Sequence, residues 1–75
     1  MIVLRLFAQL AEKARTRSRE MPPAPTPGAL LERETSLSFV NPSSVRVSVN
    51  GRWAQWTTPL KDGDEVALLP PGNAL

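Results

Sequence analysis

The sequence contains no cysteine and no histidine, and its aromatic residues are two Trp and two Phe. Without Cys and His the chain has no disulfide, no thiol nucleophile, no imidazole base and none of the usual zinc ligands. No apolar run approaches the ~18 residues that a transmembrane helix needs, and no signal peptide is visible. The 75 residues therefore predict one domain, cytoplasmic by default, without catalytic machinery of its own.

The charged residues are nearly balanced, with nine Lys and Arg against seven Asp and Glu, a formal net charge of +2. This balance argues against nucleic-acid binding. One basic cluster stands out, formed by Lys13, Arg15, Arg17 and Arg19. It is either a solvated loop and edge strand or a docking site for an acidic partner or a phosphate-bearing ligand.

The acidic residues form one cluster, Asp62, Asp64 and Glu65. Carboxylates are the ligands that hard cations prefer. Three acids within one short turn are more typical of a solvent-facing turn, however, and the glycines are too scattered for a phosphate loop. The sequence therefore predicts no metal site and no cofactor.

Apolar alternation predicts five strands, at Met1–Phe7, Arg15–Met21, Val45–Val49, Arg52–Thr57 and Glu65–Leu69. The first and last are apolar on both faces, which is typical of central strands. The second is polar, as expected of an edge strand whose charges discourage pairing with other chains. Asn50-Gly51 predicts a two-residue hairpin turn, because both positions favour positive φ.

One main helix is predicted, with Thr26 as its cap and Pro27 at the first helical position, and its segment Ala29–Glu34 supplies Leu30 and Leu31 to the core. Ala8–Ala14 is predicted to form one or two helical turns, and residues 35–44 a loop that tucks Leu37 and Phe39 under the helix. The predicted core comprises Ile2, Leu4, Leu6, Leu30, Leu31, Val45, Val47, Val49, Val66 and Leu68. The pattern is that of an α+β domain, a sheet with one helix.

The last residues suggest a projecting arm. Pro70 and Pro71 end the final strand, because proline has no N–H for the ladder and holds its predecessor extended. Residues 71–75 are then predicted to form a flexible C-terminal tail. A domain that ends in a stiffened, projecting segment suggests that this segment is its working part.

Two stretches, Leu6–Leu10 and Val49–Pro71, resemble the MoaD/ThiS family of ubiquitin-like sulfur carriers, and MoaD most of all. The resemblance implies a β-grasp (ubiquitin-like) fold, a mixed sheet of four to five strands wrapped round one helix. It also implies a sulfur carrier, the small subunit of molybdopterin synthase, acting in molybdenum cofactor biosynthesis. The family ends in Gly-Gly, but counted from Pro70-Pro71 those two positions hold Ala74 and Leu75.

The resemblance also implies partners, namely the molybdopterin synthase large subunit (MoaE-like) and an adenylating (MoeB-like) enzyme. The implied partner-binding residues are Phe7, Trp53, Leu69, Pro70 and Pro71, followed by the tail residues Gly72, Asn73, Ala74 and Leu75. Phe7 and Leu69 fall on the faces of their strands that point away from the helix, and Trp is an enriched interface anchor.

Three interpretations remain open. The chain is a sulfur carrier, or a ubiquitin-like interaction domain that has lost transfer chemistry, or an unrelated β-grasp domain that binds a partner through its sheet. The residues at positions 74 and 75 distinguish the first interpretation from the second, because their side chains should clash in a channel built for glycine. Phe7, Trp53 and Leu69 distinguish the second from the third. The pathway (molybdopterin, thiamine or tRNA thiolation) is not fixed by the residues.

Overall fold

A computed structural model describes residues 1–72 as a mixed five-stranded sheet with two helices on one face. The strands are β1 (Ile2–Leu6), β2 (Ser18–Met21), β3 (Arg46–Val49), β4 (Arg52–Ala54) and β5 (Glu65–Leu69). The helices are α1 (Gln9–Ala14) and α2 (Pro27–Arg33), with a 3₁₀ turn over Thr35–Leu37. The strand order is β2-β1-β5-β3-β4, which confirms the predicted β-grasp fold.

The two most apolar strands, β1 and β5, are the parallel central pair. Leu4 lies opposite Val66 and Leu6 opposite Leu68, while β2 pairs with β1 and β3 with β5 in antiparallel fashion. Val47 of β3 completes a row with Leu6 and Leu68. Because β1 and β5 are parallel, both end at the same edge of the sheet.

The core lies between this sheet face and both helices. Eight of the ten predicted core residues are buried, whereas Leu31 and Val49 are only half-buried against the cluster. The sequence pattern missed several further core members, Leu10, Met21, Ala24, Leu37 (assigned only to a loop under the helix) and Val40. No helix within residues 1–72 has the length and hydropathy of a membrane span.

The start of α2 follows the predicted capping. The Thr26 hydroxyl accepts a hydrogen bond from the Ala29 N–H at 3.1 Å, and Pro27 is the first helical residue. Gly28 donates its N–H to the Trp56 carbonyl at 2.9 Å, and a Cβ at Gly28 would lie 3.1 Å from that oxygen. The helix therefore begins at Pro27, as the predicted cap requires, and glycine at position 28 permits the close approach to Trp56.

The hairpin turn is as predicted, with positive φ at Asn50 (52°) and Gly51 (82°). The prediction that β4 extends to Thr57 is wrong, because the strand stops at Ala54. Trp56 instead packs half-buried against the core, and its indole N–H donates to the Pro42 carbonyl at 3.0 Å. Likewise β2 begins at Ser18 rather than Arg15, since Arg15 adopts the left-handed conformation that ends α1.

Candidate partner-binding face and tail exit

The sheet face opposite the core carries small residues at its centre and large ones at its margins. The pairing register places Arg5, Ala67, Ser48 and Trp53 in one row across β1, β5, β3 and β4. Ala67 and Ser48 are buried, whereas the two margins are exposed. The helices pack on the other side, so no described helix covers this face.

Each margin pairs an aromatic ring with an arginine. Trp53 is 39% exposed, and the Arg46 guanidinium carbon lies 3.9 Å from its ring centroid. Phe7 is 36% exposed, and the Arg5 guanidinium carbon lies 5.7 Å from its ring. These are cation–π distances. The face therefore offers a partner both apolar area and positive charge.

The prediction that Leu69 is an exposed contact residue is wrong, because Leu69 is 1% exposed. The reason is its place in a strand that has neighbours on both sides. Arg46 lies opposite it on β3, and Phe7 follows the last residue of β1 on the other side. Alternation correctly put Leu69 away from the main core, but it could not show how closely the adjacent strands flank it.

The tail leaves the sheet beside this face. Pro70 is buried, whereas Pro71 and Gly72 are exposed, and Gly72 has φ +89°. The parallel pairing of β1 with β5 places this exit next to Phe7, where β1 also ends. Asn73, Ala74 and Leu75, which make up most of the predicted flexible tail, lie outside the described residues.

The acidic turn at the opposite end of the sheet is structural. Asp64 accepts hydrogen bonds from the Asn50 side-chain amide at 3.0 Å and the Lys61 N–H at 2.8 Å. These two bonds lower the pKa of the Asp64 carboxyl. The Asp62 carboxylate pairs with the N-terminal amine, and Oε1 of Glu65 lies 3.6 Å from Nη1 of Arg5.

Within residues 1–72 no three acidic side chains are grouped as metal ligands. The described face presents exposed aromatic and basic side chains at its margins. Sequence reasoning missed Ser48, Ala67 and Arg46 as parts of the face. The signal that could have found Ala67 was a small residue at an alternate position of a central apolar strand.

This architecture, a five-stranded mixed sheet packed against helices with parallel first and last strands, defines a ubiquitin-like protein. The chain belongs to the ThiS family, whose family model matches residues 4–72. Ubiquitin-like sulfur carriers make up this family.

The chain is also similar to solved structures. SAMP1 from Haloferax volcanii is 30% identical with a TM-score of 0.75, over 99% of this chain and 98% of that one. The putative molybdopterin converting factor subunit 1 from Pyrococcus furiosus is 25% identical with a TM-score of 0.72, over 93% and 95%.

A complex of subunits 1 and 2 of the molybdopterin-converting factor from Helicobacter pylori contains the same fold. Its matching chain is 23% identical with a TM-score of 0.68, over 99% of this chain and 97% of that one. Among curated proteins, none matches this sequence significantly.

Proposed function

We propose that this protein is a MoaD-like sulfur-carrier protein, the small subunit of a molybdopterin synthase in molybdenum cofactor biosynthesis, acting in the cytoplasm, and that its sulfur transfer is impaired where Ala74 and Leu75 replace the family's Gly-Gly. The observation that supports the proposal is the exit of Pro71 and Gly72 beside the exposed ring of Phe7. A partner that docks on the open sheet face is then within reach of the tail. Five extended residues span at most about 18 Å.

The proposed partners are a large subunit of the MoaE type and an adenylating enzyme of the MoeB type. Their support is the family match and the Helicobacter pylori structure, which is described as a complex of subunits 1 and 2. Because Trp53 and Phe7 are exposed at opposite margins, they would contact the partner first. Pro71 would then direct the tail into the partner's channel, whereas Pro70 is buried and would act only by fixing the exit.

The chemistry of a sulfur carrier takes place at its terminal carboxylate. The carboxylate attacks the α-phosphorus of ATP and displaces pyrophosphate, which gives an acyl adenylate. Sulfur at the sulfide level then attacks the acyl carbon and displaces AMP, which gives the thiocarboxylate. Since the sequence has no cysteine and no histidine, and residues 1–72 hold no group of metal ligands, the partners would supply the catalytic groups.

Positions 74 and 75 decide whether this sequence can perform that chemistry. Glycine has no Cβ and fits where other residues clash. Ala74 and Leu75, at the positions where the family has two glycines, each add a Cβ, and in a protein that ends at Leu75 the branched side chain lies beside the reacting carboxylate. We expect a protein that ends at Leu75 to dock normally but to form little thiocarboxylate.

The test compares the protein ending in Ala74-Leu75 with the Ala74→Gly/Leu75→Gly variant, each incubated with the same adenylating enzyme, ATP and a sulfur donor. Mass spectrometry of the C-terminal peptide detects the replacement of oxygen by sulfur. The variant should form the thiocarboxylate and the original tail should not. A normal yield on Leu75 would contradict the steric argument, and failure of the Gly-Gly variant despite docking would contradict the carrier function.

A second candidate is a ubiquitin-like interaction domain without sulfur transfer. The observation that favours it is the presence of Ala74 and Leu75 where the family has two glycines. Such a domain would keep the docking face and bind the same partner class. Docking without thiocarboxylate on either tail is the outcome that would support it.

A further inference from the structure

A basic groove lies at the end of the sheet where β1 runs into α1 and α1 turns back toward β2. Its volume is about 830 Å³, and its lining includes Arg5, Arg15 and Arg17 together with Phe7 and a single acid, Glu12. Arg15 and Arg17 are exposed, and neither makes an ion pair or cation–π contact within residues 1–72. Two positive charges are therefore available to a binding partner.

The backbone fixes where both arginines sit. Arg15 has φ 59° and ψ 30°, and its N–H donates to the Glu12 carbonyl at 3.3 Å where α1 ends. The carbonyl of Arg17 accepts from the Leu6 N–H at 2.9 Å, which ties it to the end of β1. Since β5 lies on the other side of β1, the tail leaves the sheet about one strand spacing, roughly 5 Å, from the end of β1, and about two spacings, roughly 10 Å, from the Arg17 backbone.

The backbone of this groove does not suit a phosphate group. A phosphate site is typically formed by free N–H groups that converge on the anion. Here the Leu10 N–H donates to the Phe7 carbonyl, and the N–H groups of Ala11 and Glu12 donate to the Ala8 carbonyl. The groove instead offers exposed arginines beside an exposed aromatic ring, which suits a peptide segment with carboxylate and apolar side chains.

We propose that this groove binds an acidic segment of the protein that receives the tail. The identity of that protein rests on the proposed function, but the acidic chemistry of its segment rests on the groove alone. Opposite charges on the two surfaces would speed their encounter and set the register of docking. Arg15 and Arg17 would thereby guide the tail toward the partner's channel.

The experiment is an NMR titration of the ¹⁵N-labelled protein with an octaglutamate peptide and, separately, with inorganic phosphate at equal ionic strength. Octaglutamate should shift amide signals within residues 6–17, and the shifts should weaken with added salt. Arg15→Glu and Arg17→Glu should each lower the affinity roughly tenfold. The control is Arg52→Glu, an exposed arginine at the far edge of the sheet, which should leave the affinity within about twofold.

Three results would overturn the proposal: no shifts within residues 6–17, equal losses from Arg52→Glu, or phosphate binding the same amides as tightly as the peptide. The last would assign the groove to a phosphate-bearing ligand. The titration involves no sulfur transfer, so it stands apart from the tail experiment. Octaglutamate binding without thiocarboxylate on a Gly-Gly tail would support the groove and contradict the carrier function. Thiocarboxylate on a Gly-Gly tail without octaglutamate binding would support the carrier function and contradict the groove.

Discussion

At the scale of single residues, Ala8 occupies a backbone conformation that normally requires glycine. Its φ of 50° and ψ of −130° lie outside the regions that residues with a Cβ favour. Such positions cost of order 1–3 kcal/mol and tend to occur at functional sites. The Ala8 carbonyl accepts the N–H groups of Ala11 and Glu12, and Ala8 itself lines the basic groove. The strain therefore lies where β1 ends beside the tail exit.

We expect Ala8→Gly to raise the free energy of unfolding by about 1 kcal/mol, because glycine adopts this conformation without strain. For a domain of this size that is a rise of roughly 4–8 °C in melting temperature. The matched control is Ala11→Gly, inside α1, which should lower stability by about 0.5–1 kcal/mol. Thermal melts of both variants measure these changes in stability. A melting temperature of Ala8→Gly below that of the original protein would contradict the strained geometry.

Asp64 predicts a pH dependence of stability. Its pKa is lowered in the folded protein because the Asn50 amide and the Lys61 N–H hydrogen-bond the carboxylate. A lowered folded pKa means that the ionised group stabilises the fold above its unfolded pKa of about 3.9, and that this contribution is lost as the pH falls through the folded pKa. Asp64→Asn should therefore be less stable than the original protein at neutral pH, with the difference closing in acid.

Urea denaturation at several pH values measures this difference. Glu32→Gln is the control, since Glu32 is exposed and its carboxylate makes no hydrogen bond or ion pair within the described chain. Its stability difference from the original protein should be small at every pH. An Asp64→Asn difference that persists unchanged in acid would show that the carboxylate charge is not its source.

At the scale of elements, the sequence predicted what depends on local pattern. Alternation located β1, β3 and β5, and the chemistry of Asn50-Gly51 and Thr26-Pro27 located the hairpin and the start of α2. The sequence pattern failed where contacts between residues distant in sequence determine the structure. The spacing of Trp53 and Trp56 gives no sign that the chain leaves the ladder so that the Trp56 indole can reach the Pro42 carbonyl.

For the open face, the sequence predicted which residues point away from the helices but not how deeply each is buried. Alternation assigned Phe7 and Leu69 to the side away from the helix, and the structure exposes Phe7 while burying Leu69. The faces of a strand follow from its own sequence, but the degree of burial depends on the long side chains that neighbouring strands place beside it. Arg46, opposite Leu69, is far away in sequence, so no local pattern could identify it.

This correction gives a prediction for β5. Because Leu69 is buried, Leu69→Ala should lower the free energy of unfolding by about 2–5 kcal/mol, as should Leu68→Ala on the core face. Leu31→Ala, at a half-buried position of α2, is the control and should lower the free energy of unfolding by less. Urea denaturation, with sucrose added if a variant is unfolded in buffer, compares the three. Near-original stability of Leu69→Ala would restore the interpretation of Leu69 as an exposed contact.

At the scale of the whole molecule, the two ends of the sheet differ in character. One end holds the acidic turn, where Asp62, Asp64 and Glu65 each have a partner within the domain. The other holds Arg15, Arg17, the exposed ring of Phe7 and the tail exit. The parallel β1–β5 pair produces this arrangement, since it brings the end of the first strand and the end of the last to one edge.

The two tryptophans allow docking to be separated from folding. Trp53 is exposed on the open face under the Arg46 guanidinium, whereas Trp56 packs half-buried on the core and donates its indole N–H to Pro42. Trp53→Ala should weaken binding to a MoaE-type large subunit by about 2 kcal/mol or more, as loss of an aromatic interface anchor typically does. Its effect on unfolding should not exceed about 1 kcal/mol, the value of an exposed cation–π pair.

Trp56→Ala is the matched variant, and it should destabilise the fold while leaving partner binding nearly unchanged. Removing a large side chain that packs on the core, together with its hydrogen bond, should lower the melting temperature well below that of Trp53→Ala. Below that temperature, binding of the large subunit should stay close to that of the original protein, because Trp56 lies beyond the end of β4 and off the open face. Isothermal titration calorimetry with the same large subunit, paired with thermal melts, measures both quantities. Original affinity in Trp53→Ala would remove the open sheet face as the docking surface, since Trp53 is its most exposed aromatic residue.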